Sequence, residues 1–139
     1  MLNQLPRQTT NNLMLMDANG DRAVAEITTE SVIIRRAADT AALISTNHQR
    51  GQDQDTPGKC WRYDRIHAES QAGFGHLDVA AMEHMLRDVE QQDFTLQSMV
   101  FEPSNRVIYL AVGNNAPQHA FTRIDLLPYF NVIGSGPAH

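Results

Sequence analysis

Lysine and cysteine are almost missing from this chain. Only Lys59 among its eleven basic residues is a lysine, and sixteen acidic residues bring the net charge of the 139-residue sequence to -5. Proteins that grip nucleic acid or an anionic membrane surface usually show a basic patch. The pairs Arg35-Arg36 and Arg62…Arg65 are too short to make one, so no nucleic acid partner is expected. The one cysteine, Cys60, leaves no internal disulfide and no thiolate metal cluster, and it fits a reducing compartment. No apolar run approaches the roughly 18–20 residues of a membrane span. The opening stretch, Met1 to Thr10, is polar with an early proline and does not read as a signal peptide.

Motifs for metals and cofactors are also lacking. His48, His67, His76, His84, His119 and His139 include no i,i+4 pair and no H-E-x-x-H, so no two stack on one helix face as a zinc site requires. Gly73-Phe74-Gly75 has neither the third glycine nor the preceding strand of a nucleotide loop, and reads as a bend between helices. Gly134-Ser135-Gly136 lacks the outer residues of a nucleophile elbow. The reading is therefore no cofactor and no metal site.

What is present is a chain able to fold. With 42% hydrophobic residues and a mean hydropathy of -0.38, residues 1–139 read as a single domain with a real core. Turn chemistry is the strongest local signal. Leu13 to Asp17 and Arg22 to Thr28 flank Ala18-Asn19-Gly20-Asp21, and Asn-Gly between apolar runs marks a hairpin with a type I′ turn. In the second strand Ala23, Ala25 and Ile27 alternate against Val24, Glu26 and Thr28. A turn at Thr29-Glu30 leads to a third strand, Ser31 to Arg36, and Ala41 to Thr46 reads as a fourth. Asn47 to Lys59 is polar, without apolar period, and reads as a long loop.

Helical spacing follows. Cys60 to Ser70 is one candidate helix; Val79, Met82, Met85, Leu86 and Val89 define a clearer one, with Asp78 as N-cap. Thr95 to Phe101 and Val107 to Val112 are strands around a Glu102–Asn105 turn, and Phe121 to Phe130 is a short packing segment. The fold class is α+β: antiparallel sheets with two helices, in the order ββββ-αα-ββ. Of the polar residues, Thr46-Asn47-His48 stand where a strand meets a loop, a place both rigid and reachable. An asparagine there can donate its amide to an oxyanion, orient a nucleophile, or simply cap the loop. Cys60, next to Trp61, reads as a small core-facing residue more readily than as a nucleophile.

The ordered set "LMLMDANGDRAVAEIT", "VIIRR", "ALISTNHQ", "WRYDRI" and "LQSMVFEPSNRVIYLAVGNNAPQHAFTRIDLLPYF" resembles the carboxy-terminal part of the N-terminal-nucleophile amidohydrolases. It is most similar to their acyl-coenzyme A:penicillin (isopenicillin-N) acyltransferase-like branch, related to choloylglycine hydrolases and ceramidase-type amidases. The resemblance implies part of a four-layer αββα sandwich. It also implies cleavage or transfer of linear amides and acyl thioesters by a cysteine freed as a new N-terminus, whose α-amine serves as general base. Carried over, Asn47 matches the active-site asparagine, with His48 beside it as a substrate contact. Arg62 matches a helix arginine that orders the nucleophile end of the site, and Arg65 is the alternative one turn on.

The family's nucleophile lies well upstream of the strand matched by "LMLMD", and Cys60 is in the wrong place to replace it. The expectation is a carboxy-terminal portion without its nucleophile half, inactive alone. A sandwich lacking strands exposes an apolar sheet face and open edges, so the expected partner is a second copy or a chain supplying the missing N-terminal strands. A component or truncated form of such an enzyme is the first functional reading. A non-catalytic assembly or small-ligand-binding module of the same fold is the alternative, and a metal-dependent hydrolase trails both.

Overall fold

The computed structural model describes residues 8–51 and 60–133. Residues 52–59 of the long loop, Lys59 among them, lie outside the described residues, as do Gly134-Ser135-Gly136 and His139. Among the described residues the fold is α+β, with two antiparallel three-stranded sheets and three α-helices. Contacts divide the chain into two compact units, Met1–Asp17 with Asp21–Leu77, and Ala18–Gly20 with Asp78–His139.

The first unit holds β1 (Asn11–Met16), β2 (Arg22–Ile27) and β3 (Val32–Arg35), ordered β1-β2-β3. Leu13 lies opposite Ala25 and Ala25 opposite Ile34, so both hairpins keep register on one face. The first turn differs from the type I′ expectation. Only Gly20 takes a positive φ, +89°, and Asn19 does not. The Asp21 amide donates to the Asp17 carboxylate at 3.0 Å while the Asp17 amide donates to the Asp21 carbonyl, which leaves Ala18-Asn19-Gly20 as a three-residue link with its glycine in the left-handed region. Being central, β2 is buried on both faces from Ala23 to Glu26, whereas Leu13 to Met16 on the edge strand β1 are all exposed.

The stretch Ala41 to Thr46 is not a fourth strand. Side chains take the carbonyls a strand would offer to a ladder. Arg22 donates to the carbonyls of Ala38 and Ala41, Arg35 to that of Ile44, and Asn12 to that of Thr46. These carbonyls are bonded without strand pairing, and residues 36–51 run over the sheet as an irregular strap in which Ile44 is buried. The following helix α1 (Trp61–Ala72) starts where its sequence pattern places it, with Cys60 at the N-cap and Gly73 at the C-cap.

In the second unit α2 (Val79–Asp88) begins at Asp78, whose carboxylate accepts the Ala81 amide at 2.8 Å, and it buries Met85. Strands β4 (Gln97–Glu102), β5 (Val107–Val112) and β6 (Thr122–Asp125) form the second sheet in that order. Ser98, Val100, Val107 and Ala111 are its buried positions, and Met99 and Phe101 point to the exposed face. The packing segment at the end resolves into β6 and a third helix, α3 (Leu127–Ile133). Its proline, Pro128, sits in the first turn, where the missing amide costs no helical bond. No helix of the described residues is long and apolar enough to cross a membrane.

Candidate functional site

An acidic side chain in the middle of an apolar strand is the starting point. Glu26 on β2 is only 1% exposed, and a buried carboxylate is tolerated only if its charge is paired and its oxygens are bonded. Both conditions are met. Arg35, on the neighbouring strand, donates Nε–H to Oε1 at 2.5 Å. The backbone amide of Arg50 donates to both oxygens at 3.0 and 2.9 Å, and that of Gly51 donates to Oε2 at 2.6 Å. Burial pushes the Glu26 carboxyl up, but the Arg50 and Gly51 amides and then the Arg35 guanidinium more than offset it, and its pKa lies below the ordinary carboxylate value.

Glycine at 51 is what lets the strap come this close. A Cβ there would stand 2.5 Å from Ile33 Cγ2 and 3.0 Å from Glu26 Oε2. The strap is tied at further points. Asn12 Nδ2 donates to the carbonyls of Thr46 at 2.6 Å and His48 at 3.1 Å, and Gln49 Nε2 donates to that of Ile27 at 3.0 Å. The Arg50 guanidinium lies over the Tyr63 ring of α1, 3.4 Å from its centroid.

Between strap and edge strand is a cleft of about 410 Å³ lined by Thr10, Asn11, Asn12, Thr46, Asn47 and Gln49. The lining residues carry four side-chain amides and two hydroxyls; Asn12 and Gln49 already donate to backbone carbonyls, so among the described residues Asn11 and Asn47 are the amides with both donors left for a polar carbonyl compound. Asn47 is exposed at the cleft. His48 is exposed next to it and is not part of the lining, its carbonyl being bound by Asn12.

Thr46 faces two ways. It lines the cleft, and its Oγ1 accepts from Cys60 Sγ at 3.7 Å. Burial pushes the Cys60 thiol up. The Tyr63 amide, the Thr46 hydroxyl, and the amide and charge of Arg62 outweigh it, and the pKa lies below the usual thiol value. These are the free amides of the first turn of α1 acting on its N-cap. Cys60 is nonetheless buried, 5% exposed, and absent from the cleft lining. Arg62 is half-buried and pairs with no carboxylate among the described residues, whereas Arg65 is exposed and forms an i,i+4 ion pair with Glu69. The fold thus links Thr46-Asn47 to Cys60 through one contact, brings Arg62 to Cys60, and turns Arg65 to Glu69.

A family model described as acyl-coenzyme A:6-aminopenicillanic acid acyl-transferase matches residues 1–117. The chain belongs to that family. Every described element of the chain from β1 to β5 falls within the match, and so do the cleft, Cys60 and Arg62; β6 and α3 lie beyond it. No curated protein and no solved structure matches the chain.

Sequence reasoning passed over Glu26, Thr10, Asn11, Asn12 and Gln49. A signal existed for the first. A lone carboxylate in Ala23-Val24-Ala25-Glu26-Ile27, followed by a strand ending in two arginines, needs a basic partner across the sheet. The amides carried no such pattern, because their convergence depends on the path of the strap.

Proposed function

We propose that this chain is a component of an N-terminal-nucleophile amidohydrolase or acyltransferase acting on linear amides or acyl thioesters, and that it supplies the part of the site that binds and polarises the acyl carbonyl. The single observation behind this reading is the amide-lined cleft within the span matched by the acyl-transferase family. In it Asn47 donates its side-chain N–H to the oxyanion formed when the carbonyl is attacked, and His48 contacts the substrate. Arg62 orders the nucleophile end, with Arg65 as the alternative. Cys60 is not the attacking group, being buried and turned to Thr46. The attacking group in this reading is an N-terminal cysteine, and residues 1–139 are expected to show no turnover when none is supplied.

An added aminothiol tests this, because cysteamine carries the same thiol and amine as an N-terminal cysteine. The chain is expected to leave an acyl thioester intact by itself and to accelerate acyl transfer to cysteamine above the uncatalysed rate. That acceleration should persist in Cys60→Ala and fall steeply in Asn47→Ala. Turnover that requires Cys60 would overturn the assignment. Saturable thioester binding without any acceleration would favour the non-catalytic ligand-binding reading.

Self-association completes the proposal. Strand β1 pairs with β2 alone among the described residues, and Leu13, Met14, Leu15 and Met16 are between 44% and 52% exposed. An open edge carrying apolar side chains on both faces is a template for pairing with another strand. A second copy offers the same edge, so a two-fold antiparallel β1–β1 contact satisfies both at once. Sedimentation at micromolar concentration should give a dimer, and Leu15→Lys should return it to monomer. A wild-type chain that sediments as a monomer would count against the contact.

A further inference from the structure

The strap that carries Thr46, Asn47 and Gln49 has no ladder of its own, so something else must hold it at the cleft. We propose that Glu26 is the positioning residue of the site: its buried carboxylate, gripping the backbone amides of Arg50 and Gly51, fixes the strap that presents Asn47 to the cleft. The inference rests on the acyl-transfer reading for its catalytic meaning, and on geometry alone for the latch.

The geometry is specific. Both carboxylate oxygens are used, Oε1 by Arg35 and Arg50 and Oε2 by Arg50 and Gly51. Arg35 then extends the link in the other direction, its Nη2 donating to the Ile44 carbonyl at 3.0 Å. One buried carboxylate therefore holds the strap on both sides of Asn47, directly at 50–51 and through Arg35 at 44. Two successive backbone N–H groups thus converge on one anion, and that anion is a side chain of the same chain. Among the described residues the remaining ties to residues 46–49 are neutral hydrogen bonds from Asn12, Gln49 and the Cys60 thiol, each weaker than a charge-assisted bond. Glu26 itself is absent from the cleft lining, so it acts on the site through the strap and not by touching a substrate.

Glu26→Gln isolates this role, because it keeps the volume and removes one acceptor. Whichever way the new amide turns, its NH2 faces either the Arg35 Nε–H or the Arg50 and Gly51 amides, and donor meets donor. In the full chain, hydrogen exchange followed by NMR should show Arg50 and Gly51 exchanging at least tenfold faster, beyond any change at Val24 and Ala25 in the central strand. A merely stabilising role would speed all four together. The Asn47-dependent acceleration of acyl transfer to cysteamine should fall at least tenfold in Glu26→Gln. The double variant with Asn47→Ala should be no slower than Asn47→Ala alone, since both changes remove one contribution.

Arg50 and Gly51 exchange that follows Ala25 overturns the latch. Additive losses in the double variant overturn its link to Asn47. A released strap in Glu26→Gln, with no acceleration in the wild type, supports the latch and removes the acyl-transfer reading on which its catalytic meaning rests.

Discussion

Glu26→Ala will destabilise the protein by about 3–5 kcal/mol, the usual cost of removing one partner from a buried ion pair. The size follows from what is left behind. Arg35, 20% exposed at its side chain, loses its counter-charge, and the Arg50 and Gly51 amides lose their acceptor with Ile33 close by. The largely buried Arg35 guanidinium bears most of the desolvation cost, the Arg50 and Gly51 amides lie nearer to solvent, and the alanine recovers little by packing. Urea unfolding followed by circular dichroism measures it as a lower midpoint at unchanged slope. The loss is also pH-dependent, and its sign is fixed. The folded state holds the Glu26 carboxyl below its ordinary value. Its contribution is therefore complete above the unfolded carboxyl's pKa and is lost as the pH falls through the lower folded value. The gap between wild type and Glu26→Ala should be widest near neutrality and narrow progressively in acid. A gap that widens in acid would mean that the carboxyl is not held as the anion.

Asn47→Ala is expected to do the opposite: little to stability and much to rate. Its side chain is exposed, and the bonds that place the strap come from other groups, the carbonyls of Thr46 and His48, the Gln49 amide and the backbone at Arg50 and Gly51. Surface changes of this kind usually stay within about 0.5 kcal/mol. If Asn47 is the oxyanion donor, the aminothiol-supported transfer should fall by about 10²–10³-fold, the ordinary effect of removing one such donor. The loss should appear in kcat with KM for the thioester nearly constant, because the donor is needed most when charge develops on the oxygen. An equal rate in Asn47→Ala would remove it from the chemistry. A raised KM at constant kcat would make it a binding residue.

The strands and helices with strong periodicity were legible because their signals are local. The Asn-Gly hairpin, the Asp78 cap with its Val79-Met82-Met85-Leu86 face, and the Glu102–Asn105 turn each depend on a few neighbouring residues. The stretch from Ala41 to Thr46 misled, since its apolar residues satisfy a strand pattern while Arg22, Arg35 and Asn12 take its carbonyls from a distance. Thr46-Asn47-His48 was legible as a reachable edge, and two of its residues line the cleft, but the other four lining residues were hidden. Asn11 and Asn12 sit more than thirty residues before Asn47, and only the strap's path brings them together. Glycine at 51 was equally silent. Its reason is a close approach to Ile33 that no turn pattern announces.

The strap's anchors also set an order of assembly. The partners within each hairpin are neighbours in the chain, whereas Arg50 and Gly51 reach Glu26 across separations of 24 and 25 residues. Hairpins close in about 1–10 μs, and a longer loop is closed only at an entropic cost that its contacts must then offset. The carboxylate has its full geometry only once β2 is flanked by β3, where Arg35 resides. The cleft is therefore expected to form on a finished sheet, after the hairpins. By the same reasoning the strap can lift while the sheet stays whole, so the earliest opening of this unit is an opening of its polar cleft.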